Sequence, residues 1–114
     1  ITGITGQDGS YLAELLLSRG HYVVGIARRI SSGGMYSNIS NITKDKNFKL
    51  LQGDITDYSF VYKVVNDYRP DFWYNLAAQS NVGNSFKEPV LTFEVNTKSA
   101  FKMLKGVKHR LYQI

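Results

Sequence analysis

The stretch that decides the fold is Thr2-Gly3-Ile4-Thr5-Gly6-Gln7-Asp8-Gly9, in which glycines recur at intervals of three. It follows directly on the remnant of a strand and precedes residues 10–19, whose apolar positions have the period of a helix. Glycines in this setting allow a tight turn, close approach of the backbone to a pyrophosphate, and close packing of helix on sheet. The motif predicts a phosphate-binding turn at a helix N-terminus, where free N–H groups and the helix dipole favour anions. A plain tight turn between a strand and a helix is the alternative.

Outside this stretch the sequence alternates between helix and strand periods. Ser10 is predicted to open a first helix that Gly20 closes, and Asp57 to cap a second that ends near Arg69. A third helix is predicted after Pro89. Strands are predicted at residues 21–27, 48–52, 72–76 and 110–114, and at most the last residue or two of an earlier strand precede the glycine turn.

This alternation predicts an α/β fold. It implies parallel strands joined by right-handed crossovers, with helices on both faces of the sheet. We expect a Rossmann-like doubly wound parallel sheet, incomplete, of about five strands in the order 3-2-1-4-5. Residues 1–114 would form one cofactor-binding domain that begins and ends inside strands, as part of a longer chain.

Composition narrows the class of protein. Hydrophobic residues make up 43% of the 114 residues, enough for the core of one modest domain. The absence of Cys excludes disulfides, thiolate metal sites and thiol catalysis, and fits a cytoplasmic location. No segment is typical of a membrane span or a signal peptide. The net charge of +5 favours an anionic partner, either nucleic acid or a ligand that carries several phosphates.

The end of the second predicted strand indicates which dinucleotide the turn would bind. NAD-binding folds often have an acidic residue there, which binds the ribose 2′-hydroxyl. This chain has Arg28 and Arg29 instead. A guanidinium can bind a 2′-phosphate through two charge-assisted hydrogen bonds, whereas a carboxylate would repel it. The pair therefore favours NADP over NAD, unless the arginines merely cover an exposed strand end.

Two further segments follow predicted strands at the edge where such sheets bind ligands. Asp54 could accept a hydrogen bond from the adenine amino group while Ile55 packs on the ring, or Asp54 could simply shape a turn. The segment after the fourth strand has small side chains that would let the backbone approach a dinucleotide, or that merely pack the strand end. It reads Leu76-Ala77-Ala78-Gln79-Ser80.

Together these motifs resemble a known family. The glycine turn, GDITD at residues 53–57 and LAAQ at 76–79 are similar to extended short-chain dehydrogenases/reductases. GITGQDGSYLAE at 3–14, RRISS at 28–32, NLAAQS at 75–80 and LYQ at 111–113 narrow the resemblance to the GDP-mannose 4,6-dehydratase family. The resemblance covers nearly the whole chain.

The resemblance implies a lyase that converts GDP-D-mannose to GDP-4-keto-6-deoxy-D-mannose and water, a reaction of GDP-fucose biosynthesis. In that family NADP takes hydride from C4, water is lost across C5 and C6, and the hydride returns to C6. A homo-oligomer without nucleic-acid, membrane or metal partners is expected. The implied NADP contacts are Gly3, Ile4, Thr5, Gly6, Gln7, Asp8, Gly9, Arg28, Arg29, Ile30, Ser31, Asp54, Ile55, Leu76, Ala77, Ala78, Gln79 and Ser80. Val82 and Ser85 would lie toward the sugar nucleotide.

The sequence departs from the family pattern at several positions. Asn81 stands where members often have His, and GGMY at residues 33–36 differs from the usual sequence after the paired serines. The family's catalytic Ser or Thr, Glu and Tyr-x-x-x-Lys would fall beyond residue 114, so no catalytic residue is predicted here. Two other interpretations stay open. One is a different epimerase or dehydratase of the extended family, and the other is a non-catalytic NADP-sensing module.

Overall fold

The computed structural model describes residues 1–28, 37–77 and 111–113. Within these ranges the helices are α1 (Gln7–Ser18) and α2 (Tyr58–Tyr68), with a 3-10 helix at Ser37–Ile39. The strands are β1 (Val23–Ala27), β2 (Phe48–Gln52), β3 (Trp73–Asn75) and β4 (Leu111–Gln113). The chain forms two compact units, Ile1–Gly53 and Asp54–Ile114. The single domain predicted over residues 1–114 stays a prediction.

The sheet of the first unit is parallel. Strands β1 and β2 pair in register from Val23 opposite Phe48 to Ala27 opposite Gln52. On the other edge of β1, Thr2 forms a parallel bridge with Ile26. The Ile1 nitrogen donates to the Val24 carbonyl at 2.8 Å. The predicted order 3-2-1 is therefore confirmed for these three segments.

The core of the first unit lies between α1, the sheet and the segment that precedes β2. It consists of Ile4, Ala13, Val23, Ala27, Ile39, Ile42 and Phe48, with Leu16 and Leu17 partly buried against it. Gly25 lies at the centre of β1, where a Cβ would come within 2.6 Å of Ile4 Cγ1 and 3.2 Å of Phe48 Cε2. Glycine in the strand thus lets Ile4 pack directly on the β1 backbone.

Helix α1 begins at Gln7, so the prediction that Ser10 opens it is wrong. Gly6 is the N-cap and has extended dihedrals, φ −75° and ψ 170°. Ser10 lies within the first turn, where it is buried and its hydroxyl donates to the Gln7 carbonyl at 2.9 Å. The hydroxyl therefore bonds back along the helix, as Ser often does inside helices. The other end is as predicted, because Gly20 follows the helix with φ 81°.

The second unit contains the predicted capped helix. Asp57 is the N-cap of α2, Val61 and Val64 are buried, and Arg69 ends the helix in a left-handed conformation with φ 44°. Strands β3 and β4 pair in parallel, with Trp73 opposite Leu111, which confirms the 4-5 part of the predicted order. The helix predicted after Pro89 lies outside the described residues.

Several element ends differ from the predictions. Strands β1 and β3 are one or two residues shorter at their ends than the predicted residues 21–27 and 72–76, and β4 covers the described part of the predicted 110–114. Residues 31–47, predicted to be irregular, include the 3-10 helix Ser37–Ile39. Within the described ranges no helix is long and apolar enough to cross a membrane. The same ranges contain no group of three or more His, Asp or Glu side chains that could hold a metal ion.

Candidate functional site

The glycine turn folds back on itself between the first strand segment and α1. Gly3 has φ 69°, a conformation that side chains disfavour, and it redirects the chain out of the sheet. The Gly6 N–H donates to the Gly3 carbonyl at 3.1 Å, and the Ser10 N–H donates to the Gly6 carbonyl at 3.0 Å. These bonds fix where α1 starts relative to the strand, as the sequence predicts for a turn of this kind.

Gly9 allows the first turn of α1 to lie directly on the glycine turn. A Cβ on Gly9 would overlap the Gly3 carbonyl oxygen, and it would lie 3.1 Å from the Ile4 Cα. These neighbours are backbone atoms, which cannot rotate away as a side chain can. The close packing predicted for Gly9 is therefore present, and the backbone on which Gly9 packs is that of the glycine turn.

Gly6 has more space around it than Gly9. A Cβ at this position would have one heavy-atom neighbour within 4 Å in the described part of the chain, the Gly3 carbonyl oxygen at 3.3 Å. Gly6, Gln7 and Asp8 are all exposed, whereas Gly9 and Ser10 are buried. The start of α1 is thus open to solvent on the side that a phosphate would approach.

No side-chain hydrogen bond caps the N-terminus of α1, because its N-cap residue is a glycine. The first N–H groups of an α-helix have no partner within the helix, and they carry the positive end of its dipole. Asp8 places a carboxylate in this first turn, which complements the same dipole. Helix N-termini of this kind, with exposed residues and no capping side chain, are typical phosphate-binding positions, so the predicted phosphate site stays a prediction here.

Arg28 lies at the same edge of the first unit as the glycine turn. It directly follows β1 and is exposed. The Gly53 N–H donates to the Ala27 carbonyl at 3.0 Å, so the carboxyl ends of β1 and β2 meet there. Because the Thr2 segment is also parallel to β1, the turn that follows it lies at this edge too. Arg29, Ile30 and Ser31 lie outside the described residues.

In the second unit, Asp54 has the turn-forming role that the sequence left open. Its Oδ1 accepts hydrogen bonds from the Thr56 N–H at 2.8 Å and from the Thr56 hydroxyl at 2.7 Å. Ile55 is only 7% exposed, so most of its side chain is already packed in the protein. The predicted contacts of these two residues with adenine stay predictions.

The remaining predicted contacts follow β3. Asn75 is fully buried, and Leu76 and Ala77 are half-buried. The other predicted residues of this part of the site lie outside the described residues. They are Ala78, Gln79, Ser80, Val82 and Ser85.

Two asparagines that were not predicted as site residues hydrogen-bond the segment before β2 to the glycine turn and to α1. The Asn38 amide donates to the Thr5 carbonyl at 2.9 Å, and the Asn41 amide donates to Glu14 Oε1 at 2.9 Å. The signal for them is the repeated Asn-Ile pair at residues 38–39 and 41–42. Spacing by three, the period of a 3-10 turn, places both isoleucines toward the core.

Comparison with known proteins gives the family. The model of the family described as GDP-mannose 4,6 dehydratase matches residues 1–114. A GDP-mannose 4,6-dehydratase of Yersinia enterocolitica is 46% identical over 113 residues, which cover 95% of this chain and 30% of that protein. A human GDP-mannose 4,6 dehydratase is 44% identical over 114 residues, with the same coverage of 95% and 30%. The chain thus spans about 30% of the length of these curated relatives.

Solved structures agree on the fold. Pal from Bacillus thuringiensis superposes with a TM-score of 0.87 at 28% identity, over 98% of this chain and 36% of that chain. The Thermus thermophilus UDP-glucose 4-epimerase, solved in complex with NAD, has a TM-score of 0.75 at 30% identity, over 92% of this chain and 32% of that chain. The predicted Rossmann-like α/β class is confirmed. With its full length matched by the family model, the chain belongs to the GDP-mannose 4,6-dehydratase family.

Proposed function

We propose that this chain is the cofactor-binding part of an NADP-dependent GDP-mannose 4,6-dehydratase, which converts GDP-D-mannose to GDP-4-keto-6-deoxy-D-mannose and water. The observation that carries the proposal is the open N-terminus of α1 at the glycine turn, in a chain that belongs to this family. A glycine N-cap and exposed residues 6–8 provide backbone donors for a pyrophosphate.

A dinucleotide fits the residues at this edge of the first unit. Gly6 has no side chain that would stand between a phosphate and the backbone of the turn. The pyrophosphate would lie against Gly6, Gln7 and Asp8, and the guanidinium of Arg28 would bind the adenosine ribose together with Arg29. Support for a nicotinamide dinucleotide comes from the Thermus thermophilus epimerase, which was solved with NAD.

The choice of NADP rests on charge. Arg28 is exposed directly after β1, where NAD-binding folds often have an acidic residue. A fixed positive charge favours the additional 2′-phosphate of NADP. The contacts predicted for Arg29, Ile30, Ser31, Asp54 and Ile55, and those of residues 76–80, belong to the same proposal.

When bound, NADP would supply a reversible hydride acceptor for C4 of the sugar and a hydride donor for C6. The residues of this chain would bind and orient the dinucleotide, while proton transfer would fall to residues beyond position 114. Val82 and Ser85 would lie toward the sugar nucleotide. A homo-oligomeric assembly and a cytoplasmic location complete the proposal.

A second candidate is an epimerase of the same extended family. It is favoured by the structural neighbours, which include UDP-glucose 4-epimerases of Thermus thermophilus and Thermotoga maritima with TM-scores of 0.75 and 0.77. A dehydratase releases water, whereas an epimerase returns a sugar of unchanged mass. The mass of the product therefore separates the two candidates.

The proposal is tested with the full-length protein in two steps. Titration with NADP and with NAD compares the wild type with the Arg28→Ala/Arg29→Glu double variant, and incubation with GDP-mannose or UDP-glucose is followed by mass spectrometry. We expect tighter binding of NADP, loss of that preference in the double variant, and loss of one water from GDP-mannose alone. A folded protein that binds neither nucleotide would contradict the cofactor site. Conversion of UDP-glucose to an isomer of the same mass, separated from it by chromatography, with no loss of water from GDP-mannose, would favour the epimerase.

A further inference from the structure

The segment that precedes β2 is anchored in the core of the first unit. Ile39 is fully buried and Ile42 is 6% exposed, and both belong to the cluster that contains Ile4 and Ala13. These two side chains fix the backbone of residues 38–42 against α1 and the glycine turn. Asn38, although exposed, therefore extends from a held backbone.

Asn38 contacts the glycine turn at one particular peptide. Its Nδ2 donates to the Thr5 carbonyl at 2.9 Å, and the Gly6 N–H of the same peptide donates to the Gly3 carbonyl at 3.1 Å. A peptide unit is planar, so a bond at its C=O and another at its N–H fix its orientation from both sides. The Thr5–Gly6 peptide is held in this way.

This peptide leads directly into α1. Gly6 is the N-cap, so the plane of the peptide before it sets where the first N–H groups of the helix point. Among the described residues, the hydrogen bond to the Thr5 carbonyl comes from Asn38. A glycine on its C-terminal side allows the peptide to rotate more freely than any other residue would.

We propose that Asn38 is a positioning residue for the dinucleotide site, holding the Thr5–Gly6 peptide so that the start of α1 is oriented toward the pyrophosphate. The inference rests on the proposed function. It joins the segment that follows the arginine pair to the pyrophosphate turn through a side chain that does not touch the ligand. Preorganisation of this kind raises affinity because less ordering is needed on binding.

Asn41 provides a matched control. It is the same residue type in the same segment, it is also exposed, and its amide donates over the same distance of 2.9 Å. Its acceptor is Glu14 in α1, beyond the first turn of the helix. Loss of this bond would loosen the segment without releasing the Thr5–Gly6 peptide.

The test uses the full-length protein and two ligands, NADP and adenosine 2′-monophosphate, which lacks the pyrophosphate. For Asn38→Ala we expect the Kd of NADP to rise about threefold to fivefold, as for the loss of one hydrogen bond. The Kd of adenosine 2′-monophosphate and the midpoint of thermal unfolding should stay at the wild-type values. Asn38→Asp, which keeps the shape but lacks the N–H donors, should weaken NADP binding at least as much.

Three results would overturn the inference. They are wild-type NADP affinity in both Asn38 variants, an equal loss for the two ligands, and a loss of NADP affinity in Asn41→Ala as large as in Asn38→Ala. Failure of the proposed function has a different signature, because then the wild-type protein itself would not bind NADP.

Discussion

Helix α1 begins at a residue without a side chain, whereas helix α2 begins at an aspartate that caps it. At α2, Asp57 Oδ1 accepts from the Ser59 N–H at 2.9 Å and from the Phe60 N–H at 3.4 Å. At α1, Gly6 provides no such acceptor and residues 6–8 are exposed. At both helix ends the first N–H groups have no acceptor within the helix, and both ends carry the positive end of the helix dipole.

The difference separates a structural helix start from one that can bind a ligand. Where the chain supplies its own acceptor, the backbone donors of the helix are already used, and the cap adds to stability. Where glycine takes the cap position, the donors stay accessible and there is no Cβ in the way. Close packing of Gly9 on Gly3 holds this open end in place without a capping side chain.

The largest effect on stability is expected from Gly9→Ala. The new Cβ would overlap the Gly3 carbonyl oxygen, so α1 would have to move away from the turn. Overpacking of this kind costs about 1–3 kcal/mol of unfolding free energy, and NADP affinity should fall at the same time. Chemical denaturation and calorimetric titration of the full-length protein measure the two changes.

Gly20→Ala is the control for this variant. Gly20 has φ 81°, but a Cβ there would meet no heavy atom within 4 Å in the described part of the chain. The substitution should lower stability through backbone strain alone and leave NADP affinity unchanged. If both glycine variants lost NADP affinity equally, the loss in Gly9→Ala would reflect general destabilisation and not the displacement of α1 from the glycine turn.

A smaller effect, confined to stability, is expected from Asp57→Ala. Removal of the cap leaves the Ser59 and Phe60 donors without their acceptor, which costs about 1 kcal/mol of unfolding free energy. The Kd of NADP should stay within about twofold of wild type, because a helix start that is already capped is not the one that binds phosphate. If Asp57→Ala lowered NADP affinity, the result would contradict the distinction between a capped structural helix start at α2 and a ligand-binding start at α1.

Most elements could be predicted because burial imposes a period on the sequence. Strand β2 has the predicted bounds of 48–52, and Asp57 caps α2 as a good N-cap residue followed by a helical apolar pattern should. The predicted start of α1 was wrong because Ser is a preferred N-cap residue and the prediction therefore placed the helix start at Ser10. The glycine turn itself supplied the extended residue at Gly6, so Ser10 became part of the helix.

The site could be predicted where a local motif specifies it. The glycine spacing identified the turn, because Gly3 has a positive φ and Gly9 has no room for a Cβ. The bond from Asn38 to Thr5 spans 33 residues. The repeated Asn-Ile pair indicates that this segment anchors in the core, but it does not indicate which distant carbonyl Asn38 reaches, because that depends on how the two isoleucines pack.

Gly6→Ser in the full-length protein tests the contrast between the helix ends most directly, because it gives α1 the kind of start that α2 has. The dihedrals of Gly6 suit a serine cap, so the midpoint of thermal unfolding should stay within about 2 °C of wild type. The hydroxyl would accept a hydrogen bond from α1 and the Cβ would fill the space for the phosphate. Titration calorimetry should therefore show NADP affinity reduced by about tenfold or more. A stable Gly6→Ser variant that binds NADP as tightly as wild type would contradict the assignment of this helix start as the pyrophosphate site.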